Sequence, residues 1–327
     1  MKLSLSTNWC NRRLESGEEI AEKALALGFD ELELGFHTSV SQVEGFRRLA
    51  GRIPVGSIHA FCPVPISAPQ GYPELYQLAS FDREERALAR VHVTKNIEFA
   101  SSIGADTVVL HAGRVAFSTL FRTLDSPRLR EVRRTAKGGV ESPAYRKLLA
   151  RSLASRRRQG ERMLSGPGDF LMTLESLVPV LEHHRVTLAL ENLPYLEGFP
   201  NEAEMTRILE ALGGAPIRAW FDTGHNRVRE SFGWVAAGHR LFDDEFVRDL
   251  SGGAFAGLHL NDVVDFDDDH LPPGEGRVDF AALAPLAARA RHVVFEPNRE
   301  VGEKALAAGI AHIRRLWSAN FGSGSHK

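Results

Sequence analysis

The sequence predicts a single closed (β/α)₈ barrel, and three observations carry that expectation. Eight short β-rich runs alternate with helical patterns along the 327 residues, with no central break in composition. Most of these runs are continuously apolar, as strands buried on both faces of a parallel sheet require. The first run is followed by STNWCNRR, which lacks the glycine-rich phosphate turn expected after the first strand of an open doubly wound sheet.

The strands are expected at residues 2–6 (KLSLS), 31–36 (ELELGF), 55–60 (VGSIHA) and 106–113 (DTVVLHAG) in the first half. The second half supplies 186–192 (VTLALEN), 217–225 (IRAWFDTGH), 255–262 (FAGLHLND) and 292–298 (HVVFEPN). Between them the helices announce their ends. Ser16 and Glu19 have the spacing of a capping box, and the apolar positions Ile20, Ala24 and Leu27 stop at Gly28. A long helix over 81–103 ends at Gly104. The barrel is expected to occupy 1–317, with 318–327 as a flexible C-terminal tail. One connection is out of scale, because more than seventy residues separate the fourth and fifth strands. Residues 114–165 read as a helical insertion, and 114–162 carry fourteen Lys or Arg against four Asp or Glu. Loops after barrel strands lie over the active site, so the insertion is a lid or anion-binding wall, or a solvated basic helical pair.

Composition excludes several classes. Apolar residues make up 43% and charged residues 25%, and the formal net charge is −2, so nothing draws the whole molecule to nucleic acid or membrane. Two cysteines, Cys10 and Cys62, imply no disulfide framework and a reducing compartment. No apolar run suits a signal peptide or a membrane span, so a cytoplasmic location is expected.

The strongest functional signal is where acids and histidines fall. Successive runs end in His59, His111, Glu191, Asp222, His259 and Glu296. Groups at strand ends project into the mouth of a barrel, and buried ionisable groups are costly unless paired or ligated. A single histidine there is more often a hydrogen-bonded core residue, and Asp222 alone could cap a helix. Six on six strands point to metal. His225 in FDTGH, with Asp268 and His270 in DFDDDHLPPGEG, lie just beyond strand ends; Asp268 is chosen among its acidic neighbours by the Asp-x-His spacing. Mixed imidazole and carboxylate donors suit zinc, manganese or iron better than magnesium or calcium. His37, His92, His183, His184, His239, His292, His312 and His326 fall in helices, strand starts or tails and read as structural or exposed.

The segments IHAF, LHAG, LEN, FDTGH, HLND, DHLPPGEG and FEP resemble the signatures of the xylose-isomerase-like TIM barrels, the superfamily of apurinic endonuclease IV and many sugar isomerases and epimerases. In the endonuclease branch nine ligands hold three zinc ions. The resemblance implies one ion at His59, His111 and Glu191. A second would take Glu191 as a bridge with Asp222, His259 and Glu296, and a third His225, Asp268 and His270. In the isomerases and epimerases one metal suffices, held by Glu191, Asp222, His259 and Glu296, and the two glutamates shuttle a proton.

The stretches STNWCNRR, IHAFCPVP, SFDREERALA and VVLHAGRV are similar to a bacterial subgroup that includes the cobamide-remodelling phosphodiesterases. The expected function is therefore metal-dependent hydrolysis of a phosphodiester, with a cobamide as the substrate implied and Glu191 and Glu296 as catalytic groups. The alternative is a sugar or sugar-phosphate isomerase or epimerase. HAFC and HAGR stand where the endonucleases have HAPY and a HPG turn, which argues against apurinic-site cleavage and a nucleic-acid partner. A metal-stabilised binding protein without catalysis is a third class. For substrate contacts, Trp9 and Phe61 could wall a ring or be core. Arg114 is expected to bind phosphate and Asn192 to hold a substrate oxygen, with Cys62 a buried spectator. The oligomeric state stays open.

Overall fold

In the computed structural model, which describes residues 1–115, 127–166, 170–235 and 254–321, eight parallel strands close into a barrel. They are β1 (Ser4–Ser6), β2 (Glu31–Leu34), β3 (Val55–His59), β4 (Thr107–Leu110), β6 (Thr187–Glu191), β8 (Ile217–Asp222), β9 (Phe255–Leu260) and β10 (His292–Phe295). The order around the barrel is β1-β10-β9-β8-β6-β4-β3-β2. Two short strands, β5 (Gly113–Arg114) and β7 (Gly198–Phe199), pair antiparallel beyond the ends of β4 and β6. All eight runs expected from the sequence are strands, each shorter than its apolar run. Strand β8 stops at Asp222 because that carboxylate accepts from His225 N and starts the helix α9 (Thr223–Ser231).

Helices clothe the barrel. Ser16 and Glu19 do form a reciprocal capping box on α1 (Gly17–Leu27), with Gly28 in the left-handed conformation behind it. Helix α2 spans Val40–Leu49 and α3 spans Arg83–Ile103, the latter capped by Asp82 and closed by Gly104. The basic insertion contains α4 (Pro127–Lys137) and α5 (Pro143–Ser165), followed by α6 (Phe170–Glu175) and α7 (Val178–His184). Residues 116–126 of the insertion, His239, His326 and 322–327 lie outside the described residues. Helix α5 is pinned to the barrel by buried Arg156, which pairs with Glu204 at the start of α8 (Glu202–Ala211) and donates to Leu196 O and Gly198 O. After the four-residue helix α10 (Ala284–Ala287), α11 (Glu303–Phe321) runs on into the segment expected as a tail. Its apolar face continues through Ile310 and Ile313 to Trp317, whose indole donates to Phe280 O. Among the described residues no helix is long and apolar enough to cross a membrane.

Side chains alternate across each strand, and this period of two positions the site. Along β6, Leu188 and Leu190 join the large core between sheet and helices, whereas Ala189 falls in a separate apolar cluster with Val109, Trp220, Ala256 and Val294. Trp220 is fully buried, and Gly257 on β9 makes room for it: a Cβ there would lie 2.4 Å from the indole. The His259 ring meets this indole at 4.9 Å between centroids. Trp220 is the apolar floor of the barrel mouth.

Candidate metal centre

One step along the same inward rail from these floor residues stands the ionisable cluster. His59 ends β3, His111 follows β4, Glu191 ends β6, Asp222 ends β8, His259 lies on β9 and Glu296 follows β10. All six are at least nine-tenths buried. The structure brings donor atoms of His59, His111 and Glu191 within 4.8 Å of one another, and likewise those of Glu191, Asp222, His259 and Glu296. His225, on the first turn of α9, makes a third such group with Asp268 and His270. His59, His259 and Glu296 also satisfy the same limit.

The histidines are held in a common manner. Nδ1 of His59 faces Ala60 O at 3.0 Å, that of His225 faces Asn192 O at 2.8 Å, and that of His270 faces Glu296 O at 2.8 Å. A carbonyl only accepts, so each Nδ1 carries the proton and the neutral ring turns an Nε2 lone pair to the cluster. His259 is reversed: Nε2 faces Glu33 Oε1 at 3.0 Å, leaving Nδ1 near Glu191, Glu296 and Asp222. His111 has Glu74 Oε1 at 3.5 Å from Nδ1 and Glu191 Oε2 at 3.3 Å from Nε2. Four of the rings hydrogen-bond an acceptor through one nitrogen and aim the other inward, the arrangement that orients imidazole toward a cation. His111 Nδ1 is instead buried with no hydrogen bond and has only the Glu74 carboxylate near it. Glu191 Oε2 is buried without a hydrogen-bond partner, yet His59 Nε2 and His111 Nε2 stand 3.2 and 3.3 Å away. With neutral rings these lone pairs face a carboxylate oxygen, and a divalent cation fits that gap.

Without a cation, protons must supply the positive charge. Burial opposes charging of His111, but Glu191 and Glu74 outweigh it and lift the ring to about 9. His225 is lifted to about 10 against the same burial cost by Asp222, Asp268 and Glu191. Burial, aided by the Glu191 charge and resisted by His225, pushes Asp222 up to about 6. Burial also disfavours the charged form of Glu191, yet His259 and His111 hold its carboxyl well below the ordinary range. Cations and protons therefore compete for these rings. Metal uptake near neutral pH is expected to release protons, and apparent affinity should rise until pH passes the raised values of about 9 and about 10. The raised histidine values also fix the sign for the metal-free protein. Their contribution to stability is full below the unfolded value of about 6.5 and fades as pH rises through about 9 to 10. Calorimetry of zinc binding in two buffers of different ionisation enthalpy checks the first expectation; identical heats would exclude proton release.

Supporting residues escaped the sequence reading. Glu33, fully buried on β2, backs His259 and accepts from Ser57 Oγ at 2.8 Å. Its signal was available, since ELEL puts a second acid on the inward rail of a buried strand. Glu74 holds Arg114 through Nε at 2.7 Å and a second nitrogen at 3.0 Å. Asn8 donates to Glu296 Oε1, and Asn261 donates to Asp222 Oδ2 at 2.6 Å. Asp262 organises the loop that carries Asp268 and His270. Its carboxylate accepts from Val263 N, Gly274 N, Gly276 N and Val278 N, while its backbone bridges Leu271. A Cβ at Gly276 would lie 2.4 Å from that carboxylate, and Gly274 has φ +99°, so the loop needs both glycines.

Of the residues expected to touch substrate, most are spent on packing. Trp9 is 2% exposed and donates to Val301 O, and Phe61 is fully buried against Tyr76, so both are core. Asn192 is buried between β6 and β8, accepting from Asp222 N and donating to Asp222 O. Arg114 is neutralised by Glu74 and lies 3.4 Å from the centroid of the Tyr195 ring. Cys62 is buried, which pushes its thiol far up and makes it a poor nucleophile.

The fold and this donor set define a parallel (β/α)₈ barrel with buried imidazoles and carboxylates at its C-terminal mouth. Residues 168–316 match the family model of the xylose isomerase-like TIM barrel, and the whole chain has the closed eight-stranded parallel barrel of that fold. It is similar in fold to a D-tagatose 3-epimerase-like protein, at 19% identity and TM-score 0.63 over 98% of this chain and 100% of the other. It is similar to 3-keto-D-glucoside 4-epimerase from E. coli, at 18% identity and TM-score 0.64 over 96% and 99%. A Thermus thermophilus protein soaked with zinc chloride shares 22% identity and a TM-score of 0.57 over 99% and 100%. No curated protein matches the chain. These likenesses are of fold, and none of the three names mentions a phosphodiester or a cobamide.

Proposed function

We propose that the chain is a divalent-metal-dependent isomerase or epimerase of a sugar or sugar phosphate. The observation that carries this reading is the carboxylate pair Glu191 and Glu296, which approach His259 Nδ1 at 3.1 and 3.2 Å from the two ends of the run β6-β8-β9-β10. Glu191, Asp222, His259 and Glu296 would hold the ion, zinc foremost and manganese or iron by the same donor chemistry. When bound it polarises a substrate carbonyl and acidifies the neighbouring C–H. One glutamate then takes that proton and the other, or the same one, returns it to the adjacent atom or opposite face. Glu33 fixes the His259 ring, and Trp220 closes the site from below. The names of an epimerase and an epimerase-like protein of this fold support the assignment.

A specific observation favours a second reading, hydrolysis of a phosphoester. His59, His111, His225, Asp268 and His270 exceed what one metal needs, and they form two further donor groups beside the first. Several metals stabilise the attacking and leaving oxygens of a displacement at phosphorus. The two readings separate cleanly. Metal-loaded protein is incubated with ketoses and ketose phosphates in deuterium oxide, and with phosphodiesters, including a cobamide bearing its nucleotide loop, in ¹⁸O-labelled water. Deuterium at the carbon beside the carbonyl is the expected result. Solvent ¹⁸O in a released phosphate, with every ketose unexchanged, would replace the isomerase reading by the hydrolase one.

A further inference from the structure

Beside the outermost donor group lies a cavity of about 490 Å³, within the range that holds small organic ligands. Its lining includes the cations of α4, Arg133, Arg134 and Lys137, and the aromatic side chains Tyr195, Phe232 and Phe266. Asp268, of the outer donor group, lines the same cavity. The cavity follows from how α4 is built. Val132 and Ala136 on its other face are buried with Tyr145, Leu196, Val228, Phe232 and Trp234 in a satellite core. Packing them turns the one-turn-spaced cations Arg133 and Lys137, with Arg134 between, along the cavity.

Among the described lining residues the charge balance is positive. Lys137 reaches Asp267 at 3.7 Å, but both groups are exposed and such a pair is weak. Asp268 is already committed to His225 and His270, each at 3.3 Å. Among the described residues Arg133 and Arg134 have no carboxylate within ion-pair distance, and Arg133 instead approaches the Tyr195 ring at 5.7 Å. Tyr195 also lies under Arg114, which Glu74 links to His111, so the cavity wall is continuous with the donor cluster.

We infer that this cavity is a phosphate subsite: Arg133, Arg134 and Lys137 bind the phosphate of a substrate whose carbon skeleton runs past the aromatic wall toward the metal centre. Guanidinium forks match phosphate oxygens, and aromatic faces cover the apolar faces of a sugar ring. The inference rests on the reading of the cluster as catalytic, but it holds for a ketose phosphate and for a phosphodiester alike. It selects phosphorylated substrates over their neutral counterparts.

The test is calorimetric titration of inorganic phosphate into the full chain, metal-free and zinc-loaded, so that no turnover is needed. R133Q/R134Q/K137Q is expected to weaken phosphate binding about tenfold or more in both states. Its zinc content and melting temperature should be unchanged, because the three side chains lie outside the satellite core and the donor set. His270→Ala should keep the metal-free phosphate affinity, which separates this subsite from phosphate bound on the ion. In turnover, the triple variant should raise KM for the phosphorylated substrate and leave kcat nearly intact. Unchanged phosphate affinity in a folded triple variant would overturn the inference, as would binding seen only with zinc. If ketose phosphates bind through these cations but never exchange hydrogen, the subsite stands and the isomerase reading alone fails.

Discussion

Glu191→Gln is expected to abolish nearly all activity, by about two to four orders of magnitude, while the barrel stays folded. The carboxylate meets His259, His59, His111 and His225 within 3.4 Å, so it is the charge about which the cluster is arranged. Glutamine keeps the volume but cannot accept a proton from carbon, and it binds a hard cation poorly. His111, His225 and His259 lose a counter-charge and can respond by deprotonating, which spares the fold the cost of an unpaired buried ion. The apolar layers around Trp220 and the sheet–helix core are untouched. Steady-state turnover and thermal unfolding measured together check this. Turnover within a few-fold of the parent would remove Glu191 from the chemistry in either reading of the site.

The second large effect is on metal content. If the groups His59/His111/Glu191, Glu191/Asp222/His259/Glu296 and His225/Asp268/His270 each take an ion, the protein should carry about three zinc equivalents at saturation. His270→Ala should shed the ion shared with His225 and Asp268 and retain the ions around Glu191. His270 is suited to that test because its side chain is partly exposed and its removal buries no unpaired charge. Elemental analysis after equilibrium dialysis gives the count. A saturated value near one would leave the isomerase set alone and make the outer histidines positioning groups. A value near three with ketose exchange intact would mean that isomerase chemistry proceeds beside a metal cluster it does not require.

Much of this was legible because strands impose a period of two. Val109 and His111, Ala189 and Glu191, Trp220 and Asp222, and Val294 and Glu296 are neighbours on the same inward rails, so a polar residue closing an apolar run marks the mouth. Glu33 obeys the same rule but one layer deeper, where no run ends, and was passed over. What was not legible concerns loops, whose contacts the strand period does not govern. Nothing local to Arg114 announces that Glu74, forty residues earlier, will take its charge. Asn192 stands beside a key glutamate yet spends its amide on strand β8, and Trp9 donates its indole N–H to Val301 O. Burial in such cases depends on tertiary partners that neither composition nor spacing encodes.

The Asp262 clasp gives the barrel a detachable part. Four backbone amides between Val263 and Val278 converge on one carboxylate, and the enclosed loop brings Asp268 and His270 to the mouth. The four-residue set around Glu191 takes nothing from that loop. The outer donors can thus be exchanged as a cassette between the same two anchor points, with the barrel staves unaltered. Rewriting that one loop could add or remove the outer ion while leaving the four-residue set around Glu191 as it is. The glycines of PPGEG would then persist as the cassette's hinges, whichever ions the intervening residues recruit.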